Sequence, residues 1–133
     1  MSKRETKEWF FEIGLDLARM SDELGSASPK LARGKGWEPR ADIFEERDRF
    51  LVRVELAGVR GEDISLNYLP DSRTLVIRGQ RDHEDELPAK PHQLEIYYGE
   101  YSRALKLPEA EIDPEGIRGA YRNGFLLITV PKR

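Results

Sequence analysis

The sequence contains no cysteine, which removes disulfides, thiolate nucleophiles and cysteine-held metals from consideration. Histidine occurs only at His83 and His92, in one acidic, proline-containing stretch with Glu84, Asp85 and Glu86. A metal needs ligands held in fixed geometry, so these residues read as a solvated loop and no metal is expected. No charge of one sign predominates: 22 basic and 25 acidic residues are interspersed, for a net charge of −3. A nucleic-acid binder would show a basic stripe, so no nucleic-acid partner is expected. No run approaches the roughly 18 apolar residues of a membrane span. Glu12 and Asp16 interrupt the apolar stretch that a secretory leader would need after Lys3, Arg4 and Lys7. Gly34-Lys35-Gly36 lacks the flanking pattern of a phosphate-binding loop, and nothing marks a serine with a positioned base. The expectation is a cytoplasmic protein that is not an enzyme and carries no cofactor.

What is present divides the chain near residue 36. Before that point Phe10, Ile13, Leu17, Met20 and Leu24 recur at spacings of 3, 4, 3 and 4, one face of an amphipathic helix. Trp9, Phe11 and Leu15 widen the stripe, Gly14 weakens its middle, and Gly25 is a C-terminal stop. Residues 25–40 have a linker's glycine, serine and proline. Residues 1–36 are thus expected to form a helical arm with its linker, and residues 37–133 a separate domain.

In that domain the period changes to two. Phe50, Val52, Val54 and Leu56 alternate with Leu51, Arg53 and Glu55; Ile64, Leu66 and Tyr68 alternate with Ser65 and Asn67. Further alternating sets contain Leu75 with Ile77, then Tyr101, Arg103, Leu105 and Leu107. Turn signals separate them, including Ala57-Gly58, where glycine lets the chain reverse, and Asn123-Gly124. Asn-Gly favours a type I′ hairpin because both central residues need positive φ. Short strands at this spacing without helical pattern between them predict an all-β fold, an immunoglobulin-like antiparallel sandwich. Residues 125–130 are apolar except at Thr129, which predicts a central strand covered on both faces. Residues 82–99 are too long for a hairpin loop; they regain strand character at 94–98, and a second copy of the chain is an obvious source of a sheet edge for them.

Several motifs in order, PRADIFE, VRVELAGVRGEDISL, LVIRGQR, YYGEYSRALKLP and AYRNGFLLITVPK, resemble the small heat-shock proteins of bacterial type, whose shared unit is the α-crystallin domain. Ala120, Asn123-Gly124, Leu126 and Val130-Pro131-Lys132 match that family's most specific signature. The resemblance covers roughly residues 38–132 and implies a homodimer in which the loop 82–99 adds its short strand to the partner's residues 41–45. The implied interface comprises Ile43, Phe44, Leu94, Ile96, Tyr97 and Arg103, the last paired with an acidic residue of the partner. Family members also dock an Ile-x-Ile or Ile-x-Val tail in a groove that corresponds here to Ile64, Leu66, Ile117 and Gly119. No such triplet follows Lys132 in this sequence, so the groove is expected to lie uncovered and the assembly to be a dimer or small oligomer.

The implied function is an ATP-independent holdase chaperone that binds partly unfolded proteins. Its best client-binding candidates are Trp9, Phe10, Phe11, Ile13 and Leu17, because three adjacent aromatics exceed what one helix face needs. The bland alternative is fixed packing of that stripe on the sandwich. Two rival classes are a CS-domain-like adaptor, which docks on another chaperone without holdase activity and lacks the exchange loop, and a structural scaffold.

Overall fold

The period-two segments become strands; Arg49–Glu55, Arg118–Arg122 and Phe125–Pro131 hide alternate residues, whereas Thr74–Arg81 buries Thr74 to Ile77 in succession. The structure is a computed structural model and describes residues 9–11, 14–15, 36–83 and 90–133. Among these residues the strands are β1 (Trp9–Phe11), β2 (Gly14–Leu15), β3 (Ala41–Glu45), β4 (Arg49–Glu55), β5 (Ile64–Leu69), β6 (Thr74–Arg81), β7 (Gly99–Lys106), β8 (Arg118–Arg122) and β9 (Phe125–Pro131). One sheet has the order β1-β8-β9-β4-β3 and the other β2-β5-β6-β7. All neighbours are antiparallel except β2 with β5.

The core is the space between the sheets. Phe50, Val52 and Val54 of β4 and Leu126, Ile128 and Val130 of β9 meet Leu66, Tyr68, Leu75, Ile77, Tyr101 and Leu105 from the opposite sheet. Each such side chain contributes about 1.5–3 kcal/mol by leaving water, so this layer supplies most of the driving force for folding. Asn123 and Gly124 take φ of 55° and 82°, the type I′ geometry expected from their identities. Gly58 also turns at positive φ, 80°. The Tyr121 hydroxyl closes that corner, sharing its proton between the carbonyls of Leu56 and Val59 at 2.6 and 2.7 Å.

Two expectations are corrected. The outer face of β9 is not fully covered: Phe125 is 40% exposed, and Leu127 and Thr129 are half-buried. Arg53 lies opposite Leu127, and its guanidinium sits 5.9 Å from the ring centres of both Phe44 and Phe125. A long charged side chain thus screens apolar surface that no second layer among the described residues covers.

The expected N-terminal helix also gives way where the structure describes that region. Trp9–Phe11 and Gly14–Leu15 are strands, while the rest of the segment lies outside the described residues. Aromatic residues favour strands and Gly14 penalises a helix. Above all, β8 and β5 offer sheet edges, and pairing satisfies their backbone groups.

Candidate dimerisation edge and peptide cleft

β3 lies at the end of its sheet, paired with β4 on one side and with no strand among the described residues on the other. Phe44 is 49% exposed and Ile43 is exposed too, so this edge combines apolar side chains with an outer side that no strand among the described residues pairs. Lys132 fixes its far end, donating to Glu45 Oε2 at 2.7 Å and to the Glu46 carbonyl at 2.9 Å.

The second half of the long connection, residues 90–98, forms no strand with its own chain. Leu94 is 80% and Ile96 66% exposed, and Tyr97 is equally open. The strand expected at 94–98 is therefore not formed in the single chain: these residues have no ladder partner among the described residues. Residues 84–89 lie outside the described set.

The foot of this ribbon is held firmly. Arg81 donates through Nε and Nη2 to the Tyr97 carbonyl at 2.9 and 2.7 Å, and through Nη1 to the Ala57 carbonyl at 2.9 Å. Its guanidinium also lies 4.2 Å from the centre of the Trp37 ring, an attractive placement for a cation. Trp37 stacks on Tyr97 with ring centres 6.2 Å apart and donates from Nε1 to the Gly99 carbonyl at 3.2 Å. Its backbone bonds Glu100 and Ser102 of β7 at 3.1 Å each. His83 stacks on Tyr98, ring centres 4.1 Å apart. Trp37 was not singled out in the sequence, and Arg81 only as the end of the LVIRGQR motif; a tryptophan two residues before Pro39 in an otherwise linker-like stretch was the signal that pointed to an anchor.

Arg103, on β7 opposite Ile77, is half-buried and donates to the Pro39 carbonyl at 2.8 Å. Within one chain it therefore steadies the backbone entering β3.

On the opposite side of the sandwich, Ile64, Leu66 and Ile117 are buried members of the core cluster, with Ile117 only 1% exposed, and Gly119 is buried as well. The groove is not open as expected. β1 pairs along β8 and β2 along β5, so the edges that flank it carry strands of the N-terminal arm. Of the five client-binding candidates, Trp9, Phe10 and Phe11 make up β1; Ile13 and Leu17 lie outside the described residues.

The buried tyrosines have perturbed acidity. Burial pushes Tyr101, Tyr121 and Tyr68 up from the ordinary phenol value. For Tyr101, neighbouring Tyr121 and Asp63 add to that effect. The Tyr101 hydroxyl is buried and has no hydrogen-bond partner among the described residues. Also among the described residues, no three His, Cys, Asp or Glu side chains converge as a metal site, and no helix is long and apolar enough to cross a membrane.

Comparison with known proteins agrees with this geometry. The profile of the Hsp20/alpha crystallin family matches residues 42–133. Small heat shock protein C2 of Rickettsia felis is 38% identical over 96 residues, which cover 71% of this chain and 60% of that relative's length. Heat shock protein 16 of Schizosaccharomyces pombe is 35% identical, the match covering 92% of this chain and 87% of that one. Among solved structures, hspA from Xanthomonas axonopodis superimposes with a TM-score of 0.63 at 36% identity, covering 73% of this chain and 95% of that chain. The profile match and the relatives together show that the chain belongs to the Hsp20/alpha crystallin family.

Proposed function

We propose that the protein is an ATP-independent holdase chaperone of the cytoplasm, working as a homodimer that exchanges the ribbon 82–99. The carrying observation is the pairing of an open, apolar edge at β3 with an exposed, unpaired apolar ribbon at Leu94 and Ile96 on the same chain. Neither is stable alone in water, and each supplies what the other lacks. Exchange of an identical element between two copies is a low-cost route to a symmetric dimer, and it removes an edge that invites aggregation. In the dimer Ile43, Phe44, Leu94, Ile96 and Tyr97 form the apolar seam, and Arg103 faces an acidic residue of the second copy.

Client binding follows from the same physics. A partly unfolded protein exposes apolar surface, and covering it yields roughly 25 cal/mol per Å². Such binding lowers the free population able to aggregate by mass action and needs no nucleotide. Trp9, Phe10, Phe11, Ile13 and Leu17 are assigned to client contact, with the cleft at Ile64, Leu66, Ile117 and Gly119 as the second surface. The test is light scattering by a heat-labile client enzyme, without nucleotide, with the full chain and with a Trp9→Ser/Phe10→Ser/Phe11→Ser variant. Suppression by the full chain and its loss in the variant are expected. Equal scattering with and without the full chain refutes the holdase.

A further inference from the structure

The outward side of the five-stranded sheet carries apolar side chains around one arginine. On β4 the core residues Phe50, Val52 and Val54 alternate with Leu51, Arg53 and Glu55, which therefore face outward. The register places Phe44 of β3 opposite Leu51, and Leu127 and Phe125 of β9 opposite Arg53 and Glu55. Both phenylalanines are exposed and both leucines half-buried. The Arg53 guanidinium lies between the two rings, 5.9 Å from each centre. Phe44, Arg53 and Phe125 thus form a diagonal across three neighbouring strands.

Arg53 is exposed, and among the described residues its side chain enters no ion pair. The pairs formed there belong to Arg49, Arg60 and Lys132. Asp42 lies opposite Arg53 in register, yet no ion pair joins the two. Arg118, on β8 opposite Thr129, bonds the backbone carbonyls of Glu115 and Ile117 and, among the described residues, no carboxylate. A guanidinium resting on aromatic rings still has N–H donors to offer, and it takes a carboxylate through two parallel bonds. Two cations without carboxylate partners, beside exposed phenylalanines, complement a segment that is both acidic and apolar. They disfavour a basic one.

We propose that this surface docks an extended segment of another protein in which an aspartate or glutamate has one apolar residue two positions before it and another two positions after. Residues i, i+2 and i+4 of an extended chain share one face and span about 13 Å, and the two ring centres are at most about 12 Å apart. The carboxylate meets Arg53, the outer two side chains cover Phe44 and Phe125, and Leu51 and Leu127 form the floor. Apolar contact supplies most of the affinity. The ion pair, exposed as it is, sets the preference by a few-fold. This surface lies beyond the holdase reading and does not depend on it.

The test uses the full chain and two fluorescein-labelled peptides, GSLTETFSG and its counterpart with lysine in place of glutamate, read by anisotropy. The glutamate peptide should bind at least fivefold more tightly than the lysine peptide, and the gap should shrink as salt rises. Arg53→Gln should bring the two within twofold of each other. Equal affinity for both peptides, or a preference that survives Arg53→Gln, overturns the proposal. So does binding to phosphatidylglycerol vesicles that Arg53→Gln abolishes while neither peptide binds, which would make the surface a lipid contact. If Arg53→Gln misfolds, the unmodified chain labelled with 15N decides. The glutamate peptide should shift the Arg53 Nε resonance and the amides of Phe44 and Phe125, and their constancy refutes the docking surface. A wild type that protects no client sinks the chaperone reading alone, since peptide preference is read without any client.

Discussion

Arg81→Ala tests whether the ribbon must be held at its foot to be exchanged. The change deletes two bonds to the Tyr97 carbonyl, one to the Ala57 carbonyl and the contact with the Trp37 ring. A hydrogen bond from a charged group contributes about 1.5–3 kcal/mol, but this side chain is partly solvated, and water replaces much of that. An exposed cation–π contact adds about 0.5–1 kcal/mol. A net loss near 2 kcal/mol is expected, equivalent to a roughly 30-fold shift toward a ribbon loose at its foot. Ordering that segment then has to occur on association, so the dimer should dissociate at a concentration 10–30 times higher. Sedimentation equilibrium over a concentration series measures this directly. Arg81→Lys should recover only a small part, because a lysine ammonium lacks the planar fork that reaches both carbonyls. Thermal unfolding of the sandwich should move little, since Arg81 is outside the buried core. A dimeric wild type and an equally tight Arg81→Ala dimer would refute the clamp, while a wild type that sediments as a monomer throughout would refute the exchange itself.

Leu94→Ser with Ile96→Ser should shift the protein to monomer in the same assay, with near-wild-type unfolding, because both side chains are open to water in the single chain. Tyr121→Phe deprives the Leu56 and Val59 carbonyls of their shared donor; urea unfolding should show a loss of about 1–3 kcal/mol, and an unchanged midpoint would mean water replaces the hydroxyl. Stability should also fall in alkali. Tyr68, Tyr101 and Tyr121 are held protonated in the fold beyond the ordinary value of 10.0. Their contribution is intact below pH 10 and disappears above it, where the unfolded chain releases protons that the folded one retains. Melting temperatures from pH 8 to 11, read beside tyrosinate absorbance, check the sign; tyrosines that all ionise near 10 in the folded protein contradict it.

The sequence by itself determined which side chains enter the sandwich and where its final hairpin turns. Side-chain direction alternates with strict period two, so Phe50, Val52 and Val54 can face the core only together. The Asn123-Gly124 turn is a matter of local φ, which two adjacent residues settle between them. That the ribbon finds no strand partner among the described residues was foreshadowed by the length of residues 82–99 and their regained strand character at 94–98. Trp9–Phe11 and Gly14–Leu15 were not legible in the same way. Their spacing satisfies a helix and their composition tolerates a strand, so the outcome depended on whether free edges existed at β8 and β5, more than a hundred and about fifty residues away in sequence. Burial of Ile64 and Ile117 and the meeting of Trp37, Arg81 and Tyr97 are decisions of the same kind. Backbone edges and carbonyls acquire a location only once the sheets have formed, and tertiary structure alone says which distant segment can reach them.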